Sequence, residues 1–179
     1  YKVEFVDNGI RVSVIIPIKW LKENSRTYPV VIDPSVTIGT GTSTQRQPWG
    51  IWWGYERSAA IYLSSEIGTT GINITSVKWN VSTTQDSIVP YILRLNTTSS
   101  STLSTDTWDN IISGATQVSS GTKLFSSTGW DGFTGIGYNY PSNNLLVLCE
   151  SNYTGDGTSS YPYFYCTSTS DNKHEYWYQ

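Results

Sequence analysis

Few residues in this chain could do covalent chemistry, and their spacing limits what that chemistry would be. His174 is the only histidine, so a two-histidine metal site is ruled out and a Ser-His-Asp arrangement would have to use this residue. It stands among Asp171, Asn172, Lys173 and Glu175, where a solvated surface histidine is expected. No nucleophile elbow, phosphate-cradling loop or dinucleotide fingerprint occurs. Glycoside hydrolysis needs only a pair of carboxylates. Here Glu56 and Glu66 flank one strand-like run, while Asp106, Asp109, Asp131 and Asp156 lie in loops rich in Ser, Thr and Gly. Loop aspartates of this kind cap turns or bind calcium through oxygen, but the EF-hand pattern is missing. The expectation is a protein that is not an enzyme, with no catalytic residue, no cofactor and no metal site.

Recognition chemistry is better represented. Trp49-Gly50-Ile51-Trp52-Trp53-Gly54-Tyr55 is the densest aromatic group. Trp49, Trp52, Trp53 and Tyr55 are candidate ligand or interface residues, because Trp and Tyr offer large apolar area with a polar handle that can stack on sugars or anchor a partner. The competing use is core packing. In a strand Trp52 and Trp53 would point to opposite faces, leaving one at most for the core. Asn73, Asn80, Asn96 and Asn152 head Asn-x-Ser/Thr sequons and are candidate glycosylation sites. With 11 Asn, 25 Ser and 23 Thr among 179 residues, about three such motifs arise by chance, so they weigh little.

Two cysteines lie in strand-like runs, Leu145–Cys149 and Tyr161–Cys166, separated by a polar stretch. If the runs form one hairpin, a disulfide between Cys149 and Cys166 would contribute roughly 3 kcal/mol by loop closure. Two buried free thiols are the other reading. The disulfide is the expectation taken, together with an extracellular location.

The elements that must position these residues are strands. Charged residues make up 14% against about 25% in typical domains, so solubility comes from Ser, Thr and Asn, which disfavour helix interiors. Aromatic residues reach 14% and suit a pleated, half-buried surface. A net charge of -3, a pI near 5.0 and no basic run give no footprint for nucleic acid. No apolar run approaches the ~20 residues of a membrane-spanning helix, so no membrane insertion is expected. The chain has no Met, from which Tyr1 is expected to follow processing.

Along the chain, Val3 and Phe5 alternate with polar residues up to Asp7-Asn8-Gly9, a tight-turn signal, and Ile10, Val12, Val14 and Ile16 alternate after it. A third short strand is expected over Tyr28–Pro34. The small polar stretch Gly39–Thr44 reads as a linker, dividing the chain into amino-terminal strands over 1–38 and a module over 39–179. Beyond it, Ile72, Ile74, Val77, Trp79 and Val81, then Tyr91, Leu93 and Leu95, punctuate short strands at a spacing that suits a β-sandwich. Arg57–Glu66 reads as a strand and a single helical turn stopped by Gly68, and Trp108–Ile112 as a second helical turn with Asp106 as a possible N-cap.

The run Val14-Ile15-Ile16-Pro17, Trp20-Leu21 and Tyr28-Pro29-Val30-Val31-Ile32-Asp33-Pro34-Ser35 resembles the closing strands of modules in large secreted bacterial surface proteins. Arg57-Ser58, Ile61–Ile67, Trp130 and Asn144-Leu145-Leu146-Val147 resemble a sandwich module of multidomain bacterial and archaeal adhesins. Gly137-Tyr138-Asn139-Tyr140 departs from the Pro-Phe-x-Tyr of that pattern, and the cysteines lie outside it. The resemblance implies an all-β, antiparallel, jelly-roll-like sandwich with an amino-terminal β-hairpin extension, on a cell surface or in an extracellular filament, with no catalytic residues to carry over. Two functions follow as expectations. One is a structural or adhesive subunit that joins like subunits or neighbouring modules by strand addition through Val3, Phe5, Ile10, Val12, Val14 and Ile16. The other is a carbohydrate-binding module that takes a glycan on its tryptophans.

Overall fold

The computed structural model describes residues 35–153 and 157–178, together with the backbone of 2–6 and 9–13. The chain divides into two compact units, 1–35 and 36–179. In the first, β1 (Lys2–Val6) and β2 (Gly9–Ser13) form a two-stranded antiparallel sheet in which Val6 pairs with Gly9, Phe5 with Ile10 and Val3 with Val12. The expected hairpin is present. Val14, Ile16 and the strand expected over Tyr28–Pro34 lie outside the described residues.

The second unit contains β3 (Ser43–Gln45), β4 (Tyr55–Tyr62), α1 (Ser64–Ile67), β5 (Ile72–Thr83), β6 (Val89–Thr98), α2 (Trp108–Ile111), β7 (Thr116–Lys123), β8 (Gly129–Tyr140), β9 (Asn144–Asn152), β10 (Tyr163–Cys166) and β11 (His174–Tyr178). One sheet has the order β3-β10-β5-β8 and the other β11-β4-β9-β6-β7, all pairs antiparallel. The pairings β3 with β10, β4 with β9, β5 with β8 and β6 with β7 nest one inside the next. That is a long hairpin rolled across two sheets, a jelly roll, to which β11 adds an edge strand beside β4.

The core lies between the sheets. Leu93 and Leu95 of β6 and Leu145, Val147 and Cys149 of β9 face Val81, Phe133, Ile136, Tyr140 and Phe164 of the other sheet. The opposite face of β9 is covered too: Leu146 and Leu148 pack with Ala59, Ile61 and Trp108, and Leu103 and Ile111 close over them. This two-sided burial explains why Leu145–Cys149 is uninterrupted by polar residues.

On β5 the inward residues change phase, from Ile72 and Ile74 to Val77, Trp79 and Val81. The register slips between Ile74 and Ser76, opposite a bulge in β8 where Gly135 takes φ 71°. The helical turn after β4 ends at Gly68 with φ 72°, as its sequence predicts. Gly39–Thr44, read from composition as a linker, runs against the sandwich instead. Gly41 N–H donates to Thr167 Oγ1 at 2.8 Å, Ile38 packs on the core, and a Cβ at Gly41 would collide with the Cys166 carbonyl.

The expected disulfide is absent: Cys149 and Cys166 are free thiols. They do not flank a hairpin. β9 pairs with β4 and β6, whereas β10 crosses to the other sheet and pairs with β3 and β5. Burial pushes the Cys149 thiol well up, although a hydrogen bond with Ser58 opposes it, and Cys166 is only half-buried. We expect one iodoacetamide adduct on the native chain, at Cys166, and two in denaturant, all without reductant. Failure to label the denatured chain, read by mass spectrometry, would show that the thiols are bonded.

Candidate functional site

The segment Trp49–Tyr55 does not form a strand over its tryptophans. It is a turn, with Gly54 N–H donating to Ile51 O at 3.3 Å, and β4 begins at Tyr55. Trp49 enters the core, 2% exposed, with edge-on contacts to Trp79, Tyr91 and Phe133 at 5.4, 5.9 and 5.0 Å between ring centres. Trp49 is therefore structural, not a ligand residue. The opposite-face expectation for Trp52 and Trp53 fails because a turn lacks strand alternation. Both rings are exposed, at 43% and 44%.

These two rings sit at the centre of a longer row. Trp53 stacks on Tyr178 at 5.3 Å and 22°, Tyr178 on Tyr176 at 6.1 Å, and Tyr176 on His174 at 6.2 Å. On the other side Trp52 lies 6.1 Å from Trp53 and 5.0 Å from Tyr161, which lies 5.4 Å from Tyr163. Seven rings thus run from β11, across the turn, to β10. Strand alternation supplies the ends, since His174, Tyr176 and Tyr178 share one side of β11 and Tyr161 and Tyr163 are likewise two apart. Tyr176 and Tyr178 are 48% and 55% exposed because β11 is an edge strand.

The turn is held rigidly from beneath. The buried Glu56 carboxylate accepts from Trp53 N–H at 3.2 Å and faces Arg46 Nε at 3.4 Å, and the Arg46 guanidinium lies 5.5 Å from the Trp52 ring centre. Gly50 leaves room for that carboxylate, where a Cβ would collide with it. Ser151 Oγ donates to Gly50 O, Tyr153 N–H to Gly54 O at 2.6 Å, and Thr158 N–H to Ile51 O at 3.2 Å. Gly157, at φ 77°, passes so close to the Trp52 carbonyl that no Cβ would fit. Rings held this way lose little conformational entropy when a ligand arrives.

His174 is not the solvated histidine its charged neighbours suggest. Burial lowers its pKa to about 4, and its Nε2 is buried without a hydrogen-bond partner among the described residues. At neutral pH the ring row therefore ends in a neutral imidazole.

Tyr55, the remaining aromatic candidate, belongs to a separate cluster on the outer face of the five-stranded sheet. Glu150 accepts from Tyr55 OH at 2.8 Å, from Arg57 Nε at 3.4 Å and from Arg94 Nη1. Arg57 lies 4.4 Å from the centre of the Tyr55 ring and donates to its hydroxyl at 2.9 Å. Burial alone would raise the Glu150 pKa, but hydrogen bonds from Arg94, Tyr55 and Arg57 outweigh it and hold the carboxyl below its ordinary value. A group held ionised in this way is a structural anion, not a proton donor at neutral pH.

Other carboxylates have local structural partners. Glu66 accepts from Leu63 N–H at 2.7 Å, Asp131 pairs with Lys123 at 2.7 Å, and Asp106 accepts from Thr107 N–H and Asn110 Nδ2 around the start of α2, whose N-cap position is Thr107. Asp156 lies outside the described residues. Among the described residues no group of three or more His, Cys, Asp and Glu could hold a metal ion. Of the sequon asparagines, Asn73 and Asn152 are exposed and Asn80 and Asn96 half-buried.

Sequence reasoning found Trp52 and Trp53 but missed His174, Tyr176, Tyr178, Tyr161, Tyr163 and Arg46. The alternations His174-x-Tyr176-x-Tyr178 and Tyr161-x-Tyr163 were the available signal. The chain finds no match among protein families, characterised proteins or solved structures.

For Glu150→Gln we expect a loss of about 1–3 kcal/mol at pH 7, less than a fully buried pair loses, because water reaches both guanidinium groups. Since the folded-state pKa is depressed, the contribution is present above the unfolded value of about 4.3 and is lost as pH falls through the folded one. Urea unfolding of both proteins should show a gap that is constant from pH 7 to about 5 and closes below about 4. A gap independent of pH would assign the loss to packing.

Proposed function

We propose that this chain is an extracellular surface module that binds carbohydrate on its row of exposed rings. The observation that carries the reading is the row itself: seven neighbouring rings, four of the central ones strongly exposed, on a turn braced by buried hydrogen bonds. An apolar ring flanked by hydroxyl and indole N–H groups matches a sugar, which offers a C–H face rimmed by hydroxyls. The jelly roll itself hosts many functions and does not choose among them. The composition, poor in charge and rich in Ser, Thr and aromatic residues, supports a place on a cell surface.

A glycan array, followed by calorimetry on any hit, tests the reading. Trp52→Ala, Trp53→Ala and Tyr178→Ala should each weaken binding by about 0.5–1.5 kcal/mol, roughly 2- to 10-fold in Kd, with an unchanged circular dichroism spectrum. Silence of the wild-type chain across the array would overturn it.

A second reading, that the module is an adhesive or structural subunit joined to like subunits by strand addition, is favoured by β1 and β2. They form a two-stranded sheet in a unit of its own, and such a sheet is marginal alone and, among the described residues, leaves a free edge on each strand. Removing residues 1–35, which spares Ile38 in the sandwich core, should leave a monomer by light scattering while the full chain associates. Equal association of both chains would remove this reading.

A further inference from the structure

One cation set over the ring row is paired with a buried carboxylate. Among the described residues, the charged groups that contact the turn of the row are Arg46 and Glu56, and Asp86 stands near its Tyr161 end, hydrogen-bonded to Ser160. The Arg46 guanidinium lies 5.5 Å from the Trp52 ring centre, and the Glu56 carboxylate stands 3.4 Å from Arg46 Nε. Glu56 is almost fully buried, and its carboxylate meets that cation and the Trp53 amide. Among the described residues Arg46 is the one cation set over a ring of the row, and Glu56 faces it from below. On β11, Glu175 alternates to the other side of the strand and accepts from Asn172 at 2.9 Å.

The row is also too long for one sugar. Its centres are 5.0 to 6.2 Å apart over seven rings, so a monosaccharide would cover only a part of it. A polymer carrying carboxylates or sulfates would find, among the described residues, no cation set over a ring of the row except Arg46, which Glu56 faces, and the chain as a whole has a net charge of -3.

From this geometry we infer that the row selects a neutral, extended polysaccharide, and that Glu56 sets the preference by holding the charge of Arg46. The inference rests on the carbohydrate reading and narrows it. Glu56 is a positioning residue here: it touches the turn and Arg46, while the rings touch the ligand.

Affinity electrophoresis of the full chain provides the test, in gels containing neutral polymers (hydroxyethyl cellulose, mixed-linkage glucan, mannan, xylan) or anionic ones (alginate, hyaluronan), at low and high NaCl. Retardation by at least one neutral polymer is expected, changing less than about twofold with salt, and about tenfold weaker retardation by the anionic polymers. In Glu56→Gln the amide oxygen can still accept from Trp53 N–H, but the Arg46 charge is released. That variant should gain salt-sensitive retardation by hyaluronan that the wild-type chain lacks.

Wild-type binding that favours the anionic polymers, or that collapses with salt, would overturn the inference and leave the carbohydrate reading standing. Absence of retardation in every gel would overturn both. A folded Glu56→Gln with no new anionic binding would remove Glu56 from the role. Should the variant fail to fold, the wild-type comparison across polymers and salt still decides the neutral preference.

Discussion

The burial of β9 on both faces is the constraint from which much of the sandwich follows. A strand that turns Leu145, Val147 and Cys149 to one side and Leu146 and Leu148 to the other must be covered twice. The second sheet covers one face; the segment carrying α2 covers the other, bringing Trp108 down onto Ala59 and Ile61. At Glu150 the same alternation sends a carboxylate to the outer face, where Arg57 and Arg94 on the two flanking strands converge on it. Charge pairing at Glu150 thus continues what hydrophobic contact does along the rest of the strand.

The aromatic segment after β3 applies the same economy to a short stretch of chain. Trp49 fills the core among Trp79, Tyr91 and Phe133, and three residues later Trp52 stands in solvent. Placing one ring inside ties down the backbone that presents the next two outside. The hydrogen bonds from Ser151, Tyr153 and Thr158 complete that support from segments distant in the chain. A surface that must stay apolar and exposed without collapsing onto itself needs such bracing, because free tryptophans on a mobile loop would bury one another.

The all-β character was legible in the sequence because β-branched and aromatic residues recur at a period of two between turn residues, and the helical turn ended by Gly68 was legible because glycine adopts the left-handed conformation freely. What could not be read was which sheet each strand joins. Leu145–Cys149 and Tyr161–Cys166 look like two arms of a hairpin, but the roll sends β10 across to β3 and β5, and the cysteines part company. The ring row was hidden for the same reason. Local pattern showed that His174, Tyr176 and Tyr178 share a side of one strand, but whether that side is covered depends on β11 lying at a sheet edge. Trp49 and Trp52 differ only in tertiary surroundings, which no local rule supplies.

β11 lies outside the eight strands that close the roll, yet it contributes three of the seven rings. The frame and the ring row are therefore in part carried by different strands. Tyr176 and Tyr178, exposed on β11, stand outside the nested pairing from β3 to β10. A lineage could recolour the exposed rings of β11 while inheriting the same sandwich frame, so diversification should concentrate at Tyr176 and Tyr178 and leave β9 and the braced turn nearly still.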